Sequence, residues 1–130
     1  MPSIFAKIVA GEIPCYKVAE NDEFLAFLDI FPLAKGHSLV IPKLETDYIF
    51  DIESDAYSRL WLFAKKVAQA QKKVISCERI GVAVIGLEVP HAHIHLVPIN
   101  GVNDIDFSKP KLSFSKQEMN QIAIDISKVF

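Results

Sequence analysis

The sequence predicts an α+β domain in which helices pack on one side of an antiparallel sheet of about five strands. Three observations lead there. Stretches of strand character outnumber helical ones, the links between them are short and hairpin-like, and no regular alternation of strand and helix appears. The 130 residues suit one domain, 1–130, whose core needs no disulfide or metal staple. With 51% apolar residues, 23% charged residues and a net charge of −2, the composition is that of a soluble globular protein. It lacks the basic excess that would draw the chain to nucleic acid or to an anionic membrane surface. Cys15 and Cys77 stand far apart with no CxxC pair, which predicts reduced thiols. No apolar run approaches a membrane span, and "MPSIFAKIVAGEIP" lacks the apolar block and cleavage site of a signal peptide. A cytoplasmic location is expected.

The elements follow in chain order. "SIFAKIVAGEIP" opens with Ser3 as a cap, sets Ile4, Phe5 and Ile8 at helical spacing and stops at Gly11 before Pro14, so it predicts a short helix. "CYKVAENDEFLAFLD" holds an Asn-Asp turn between two short runs and reads as a β-hairpin. "HSLVIPK" is a third strand, bounded by Gly36 before it and Pro42 within its end. Ser54 to about Ser76 is the longest helix. Tyr57, Leu60, Trp61, Ala64, Val67, Ala68, Val74 and Ile75 form its apolar stripe. Leu62 falls on the opposite, charged face, a hint of a partner surface. "RIGVAVIG" and "HAHIHLVPI" are two further strands, joined by "LEVP". After the turn-rich "GVNDIDFSKPKL", a last helix opens where Ser115 and Glu118 have capping-box spacing. Met119, Ile122, Ala123 and Ile126 are its stripe.

The chain has four histidines, and three of them alternate in "VPHAHIHLVPIN". Side chains two apart line one face of a strand, so His91, His93 and His95 project together, with roughly 7 Å between successive Cα atoms. Ala92, Ile94 and Leu96 point the other way, and all three are apolar. That face can pack under a helix while the imidazoles line a cleft. The residues alone leave three readings: a polar sheet face, a metal site with His37 as a fourth nitrogen ligand, or nucleophilic and acid–base chemistry.

"HAHIHLVP" resembles the His-φ-His-φ-His-φ-φ signature of the histidine triad (HIT) superfamily, φ being apolar. "SIFAKIVAGEIP" resembles the opening helix of its nucleotide-binding, Hint-like branch, and "FLAFLDIFPLAKGHSLVIPK" resembles that branch's central block. The likeness runs from residue 3 to about residue 99. Residues from about 100 to 130 form a C-terminal extension outside it. The resemblance implies a HIT-like fold that binds a purine nucleotide and attacks its α-phosphorus with the middle histidine, here His93. Water then resolves the nucleotidyl-histidine. His95 is the implied contact to the phosphate or leaving atom, with His91 and His37 as supporting imidazoles. Asp29 is implied to take the ribose hydroxyls, although it also suits a turn before Pro32. Phe5, Ile8, Phe27, Ile30 and Leu39 stand where relatives build an apolar slot for the base; any of them also suits the core, and Ile8 and Phe27 read better as core. No metal or other cofactor is required, and a homodimer is implied. The expected substrates are purine nucleoside phosphoramidates or related conjugates. A dinucleoside polyphosphate hydrolase and a nucleotide-binding scaffold with little turnover are the alternatives.

The pattern breaks at one place. Relatives commonly carry Gln and then Ser or Thr four and three residues before the first histidine, near the phosphates, where this chain has Leu87 and Glu88. Gly86 can still give the backbone a close approach to phosphate. Glu88 beside an anion at about 6 Å would cost between ~0.7 and ~3 kcal/mol, depending on the local dielectric.

Overall fold

The computed structural model describes residues 2–130. Its sheet has five strands: β1 (Lys17–Glu20), β2 (Phe24–Leu28), β3 (Ser38–Pro42), β4 (Arg79–Ala83) and β5 (Ile94–Ile99). They lie in the order β1-β2-β3-β5-β4, and every pair is antiparallel. The β1–β2 hairpin turns where the sequence expects it, because the Asn21 carboxamide accepts from the amides of Glu23 and Phe24. Three helices complete the fold: α1 (Ile4–Val9), α2 (Ser54–Val74) and α3 (Lys116–Lys128). Ser3 caps α1 as predicted, and the Ser115–Glu118 capping box opens α3. At the start of α2 it is Glu53 that caps, through the amides of Asp55 and Ala56.

The sheet is covered on both faces, which corrects the expectation that helices lie on one side. Phe24, Ala26, Leu28, Val40, Ile94 and Leu96 pack with α2 and α3 in the main core. On the other face Leu25, Phe27, Leu39 and Ile41 pack with Phe5 of α1, flanked by Ile8 and Val9. Burial on both faces explains why β2 and β3 read as unbroken apolar runs rather than alternating ones. The helix stripe also shifts. Phe63, Ala70 and Gln71 are buried and Val74 is at the surface, because the partly polar α2 turns its C-terminal end toward the β3–β5 strands. Gln71 has no exposed surface and donates to the carbonyls of Gly36 and Leu96, at 2.9 and 3.0 Å. Those carbonyls belong to the residues next to His37 and His95.

Two predicted strands are shorter than expected. β4 stops at Ala83, and β5 begins only at Ile94, so His91 and His93 precede the strand on which the alternation places them. His91 cannot line a cleft in any case, since its ring has no exposed surface.

Candidate active site

Strand register sets the floor of the site. Phe27 of β2 pairs with Leu39 of β3, which pairs with His95 of β5, which pairs with Ala83 of β4. The four side chains form one row across the face that α1 covers. Phe5 of α1 stands against the same row: its ring lies 5.6 Å from Phe27, 5.9 Å from His91 and 4.9 Å from His93. His93 and His95 rings are 5.0 Å apart, and His95 and His37 rings 5.2 Å. All four histidines therefore gather in one cluster, as the sequence predicts. His37 comes from the turn just before β3 and is almost fully buried.

The hydrogen bonds determine where each ring carries its proton. A backbone N–H can only donate, so the Leu33 amide at 3.0 Å leaves His37 Nδ1 as an acceptor. The proton of neutral His37 is then on Nε2, which donates to His95 Nδ1 at 3.0 Å. His95 is left with its N–H on Nε2. A carbonyl can only accept, so the His91 oxygen 2.7 Å from His93 Nδ1 places the proton of His93 there. His93 Nε2 keeps a free lone pair. The same logic fixes His91: Nε2 donates to the Pro42 carbonyl at 2.7 Å, and Nδ1 accepts from the Ser3 hydroxyl at 2.8 Å. Ser3 in turn accepts from the Ala6 amide. Each ring is held by its neighbours in one tautomer.

Burial keeps the supporting rings neutral. Desolvation and the neighbouring imidazole hold His37 down to about 3, with a smaller push from Lys111. Desolvation and His93 hold His95 down to about 4. His91 is lowered by burial as well, against the pull of the Pro42 carbonyl. With these three rings neutral, the cluster sets His93 Nε2, opposite its bonded Nδ1–H, beside the N–H of His95.

Asp29 takes the turn role considered for it. Its Oδ1 accepts from the Phe31 amide and closes the turn, while Oδ2 reaches to 3.6 Å from His37 Nε2. That separation is too long for a hydrogen bond, and His37 is neutral, so the contact is no ion pair. Burial raises the Asp29 carboxyl, partly offset by the Phe31 amide, His93 and Lys111, while Glu88 raises it further. Asp29, His37 and His95 have potential ligand atoms within 4.8 Å of one another. Yet His37 Nε2 carries a proton for as long as Nδ1 accepts from Leu33, and metal at that nitrogen would require an imidazolate. His37 and His95 fit a hydrogen-bonded pair beside Asp29 better than the three fit a set of ligands.

The remaining predicted residues divide. Phe5, Phe27 and Leu39 are buried together, with Ile8 half-buried at their edge. Ile30 is largely exposed, at 59%, beside Asp29. Gly86 needs its glycine for conformation, since φ is +75° and nothing crowds it. Glu88 is exposed, but close enough for its charge to act on Asp29. Three contributors do not show in the sequence pattern. Ser3 reads there only as a helix cap. Lys111 acts on both Asp29 and His37, and Phe107 sets its ring 4.7 Å from His95 and 6.4 Å from His37. No local pattern marks the last two, which reach the site through chain reversal after β5.

Comparison with known proteins bears on the family and the fold. An uncharacterized HIT-like protein of Borreliella burgdorferi is 34% identical, the match covering 95% of each chain. An adenosine 5′-monophosphoramidase of Schizosaccharomyces pombe is 35% identical over 98% of this chain and 97% of its own. The crystal structure of a Hit-like protein from Bartonella henselae superposes with a TM-score of 0.86, at 28% identity, covering 98% of this chain and 96% of that one. The model of the HIT domain matches residues 10–101, most of the chain and all four histidines. With that match and the four-histidine cluster together, the chain belongs to the HIT domain family.

Proposed function

We propose that this protein hydrolyses purine nucleoside phosphoramidates or closely related nucleotide conjugates through a covalent intermediate on His93. The observation that carries the reading is the free Nε2 lone pair of His93, created by its Nδ1–H···O bond to His91 and set beside the N–H of His95. Phosphoramidase activity in the Schizosaccharomyces pombe relative supports the substrate class. His93 Nε2 bonds to the α-phosphorus as the phosphorus–nitrogen bond to the amine breaks, with His95 Nε2–H hydrogen-bonded to the departing side. The amine takes one proton from solvent. Water then bonds to phosphorus, the phosphorus–Nε2 bond breaks, and the proton that water loses balances the first step. The products are nucleoside monophosphate and amine. Asp29 Oδ2 suits a ribose hydroxyl, and the base lies against Phe5, Ile8 and Ile30.

A panel of adenosine phosphoramidate, diadenosine polyphosphate and nucleotidylated galactose, each assayed with and without EDTA, tests the reading. The phosphoramidate should be cleaved fastest, and EDTA should leave every rate unchanged. Activity lost to EDTA and restored by zinc overturns it.

Glu88 bears on the leaving group. Its carboxylate repels a departing polyphosphate and is harmless to a departing amine, while the positive charge of Lys111 acts on Asp29 in the opposite sense. Glu88 is exposed and partly compensated, so the low end of the Coulomb range applies. Glu88→Ser should raise kcat/KM for a diadenosine polyphosphate about threefold and barely alter it for the phosphoramidate. Equal responses would remove Glu88 from specificity.

The protein also acts as a homodimer in this reading. Leu62 is 65% exposed on α2, beside a shallow depression of ≈ 550 Å³ bordered by Tyr57, Ser58, Trp61 and Lys65. Leu62→Glu would place a charge in that desolvated patch, and sedimentation should show the dimer weakened at least about tenfold. A wild-type monomer at micromolar concentration contradicts it.

A further inference from the structure

The stretch from Gly101 to Leu112 lies outside the matched HIT domain for all but its first residue, and it is a built structure rather than a loose tail. Asp104 accepts from the amides of Asn100 and Gly101. Lys109 donates to the Asn103 carbonyl, and Lys111 to the carbonyls of Phe107 and Lys109. The strap crosses the histidine face of the sheet. Ile105 lies over Gly81 of β4 so closely that a Cβ there would overlap its Cδ1. At the far end the Leu112 amide donates to the Pro32 carbonyl, three residues beyond Asp29. Phe107, half-buried, sits between these anchors.

Its place in the ring sequence matters most. Phe5, His93, His95 and Phe107 follow one another at centroid separations of 4.9, 5.0 and 4.7 Å. Phe5 closes the end next to the nucleophile, with the apolar row of Phe27 and Leu39. Phe107 closes the opposite end, against the ring of His95, whose N–H faces the departing group in the reaction proposed above. Main-chain carbonyls tether the Lys111 ammonium to Phe107, so cation and ring are positioned as one unit.

We propose that Phe107 is a specificity-determining residue that forms the aromatic wall of the leaving-group subsite and selects nucleoside phosphoramidates whose amine carries an aromatic or other flat apolar group. This rests on the phosphoramidase reading above and names the half of the substrate that it left open. A ring edge at this distance offers aromatic contact to such a group and nothing to ammonia.

Two substrates with the same nucleotide isolate the effect: adenosine 5′-phosphoramidate, which releases ammonia, and its N-phenethyl derivative. Phe107→Ala should lower kcat/KM for the phenethyl substrate about tenfold and for the unsubstituted one less than about threefold, with Phe107→Leu between. A change in the hydration of His95 would affect both substrates alike, so the ratio reports the wall. Equal losses on both overturn the proposal. Binding decides it independently of turnover. In full-length His93→Ala protein, the phenethyl compound should bind about tenfold more tightly than AMP, and Phe107→Ala should erase that advantage. No advantage, or one that survives Phe107→Ala, overturns it. If the wild-type protein cleaves neither compound, the phosphoramidase reading fails, and the two affinities still decide whether Phe107 forms the wall.

Discussion

Replacing His93 with alanine is expected to reduce turnover by about 10⁴-fold or more while AMP affinity changes less than about threefold. The asymmetry follows from the site. In the proposed reaction the lone pair of His93 Nε2 supplies the new bond, whereas the apolar row of Phe27 and Leu39 and the carboxylate of Asp29 are untouched by the substitution. His93→Asn should be equally inactive, and its amide keeps a donor near the His91 carbonyl. The pair therefore separates lost chemistry from lost folding. In wild-type protein, labelled substrate quenched quickly into base should leave label on the chain, because a phosphorus–nitrogen bond to imidazole is labile in acid and survives base. Neither variant should trap any. Substantial activity in either one removes His93 from the nucleophile's role.

Acid should destabilise the fold well before its carboxylates titrate. His37 and His95 are held near 3 and 4 in the native chain and return to the ordinary 6.5 on unfolding. Groups lowered in this way leave the unfolded state holding the extra protons, so stability rises with pH across the window between the two values. It is fully present above about pH 7 and falls as pH drops from 6.5 toward 4. Each group contributes ~1.4 kcal/mol per pH unit there, so the two together give ~2.7. Between pH 7 and pH 5 the expected loss is about 4 kcal/mol, a large share of the ~5–15 typical of a domain. His91 shifts in the same direction and adds to it. Carboxylates such as Glu20 and Glu118, lowered by hydrogen bonds from lysines and from Ser115, lose their contribution only at more acid pH. Asp29, raised by burial, acts in the opposite sense near its own titration. Urea unfolding at pH 7, 6 and 5 measures the slope, and His37→Gln should flatten it by about one proton. A stability independent of pH across that range would mean that these rings are not buried neutral.

Most of the architecture is legible in local pattern. Ser3, Gly11, the Asn-Asp turn and the Ser115–Glu118 box act within a few residues, so they mark element ends reliably. The alternation of His91, His93 and His95 with Ala92, Ile94 and Leu96 is also local, and it separates the site face from the core face. The backbone that carries it is less legible. His91 and His93 lie ahead of β5, because the His93 ring binds the carbonyl of His91 and the Ala92 amide pairs with Thr46. Alternating pattern predicts direction, but pairing partners decide where a strand begins.

The sequence by itself determined the α+β class, the element order and the identity of the four histidines, because these depend on spacings of two to four residues. It carried the family likeness as well, since motifs are runs of neighbours. Only the tertiary structure decided which nitrogen of each ring holds the proton. That choice is made by Leu33, Pro42, Ser3 and His37, and for His93 by the His91 carbonyl, and three of the bonds span 49 to 88 residues. It also decided that the sheet is covered on both faces, and that Phe107 and Lys111 belong to the site. An imidazole becomes a nucleophile or a donor through the groups that happen to face it. Those groups are brought together by chain reversals that leave no periodic signal along the chain.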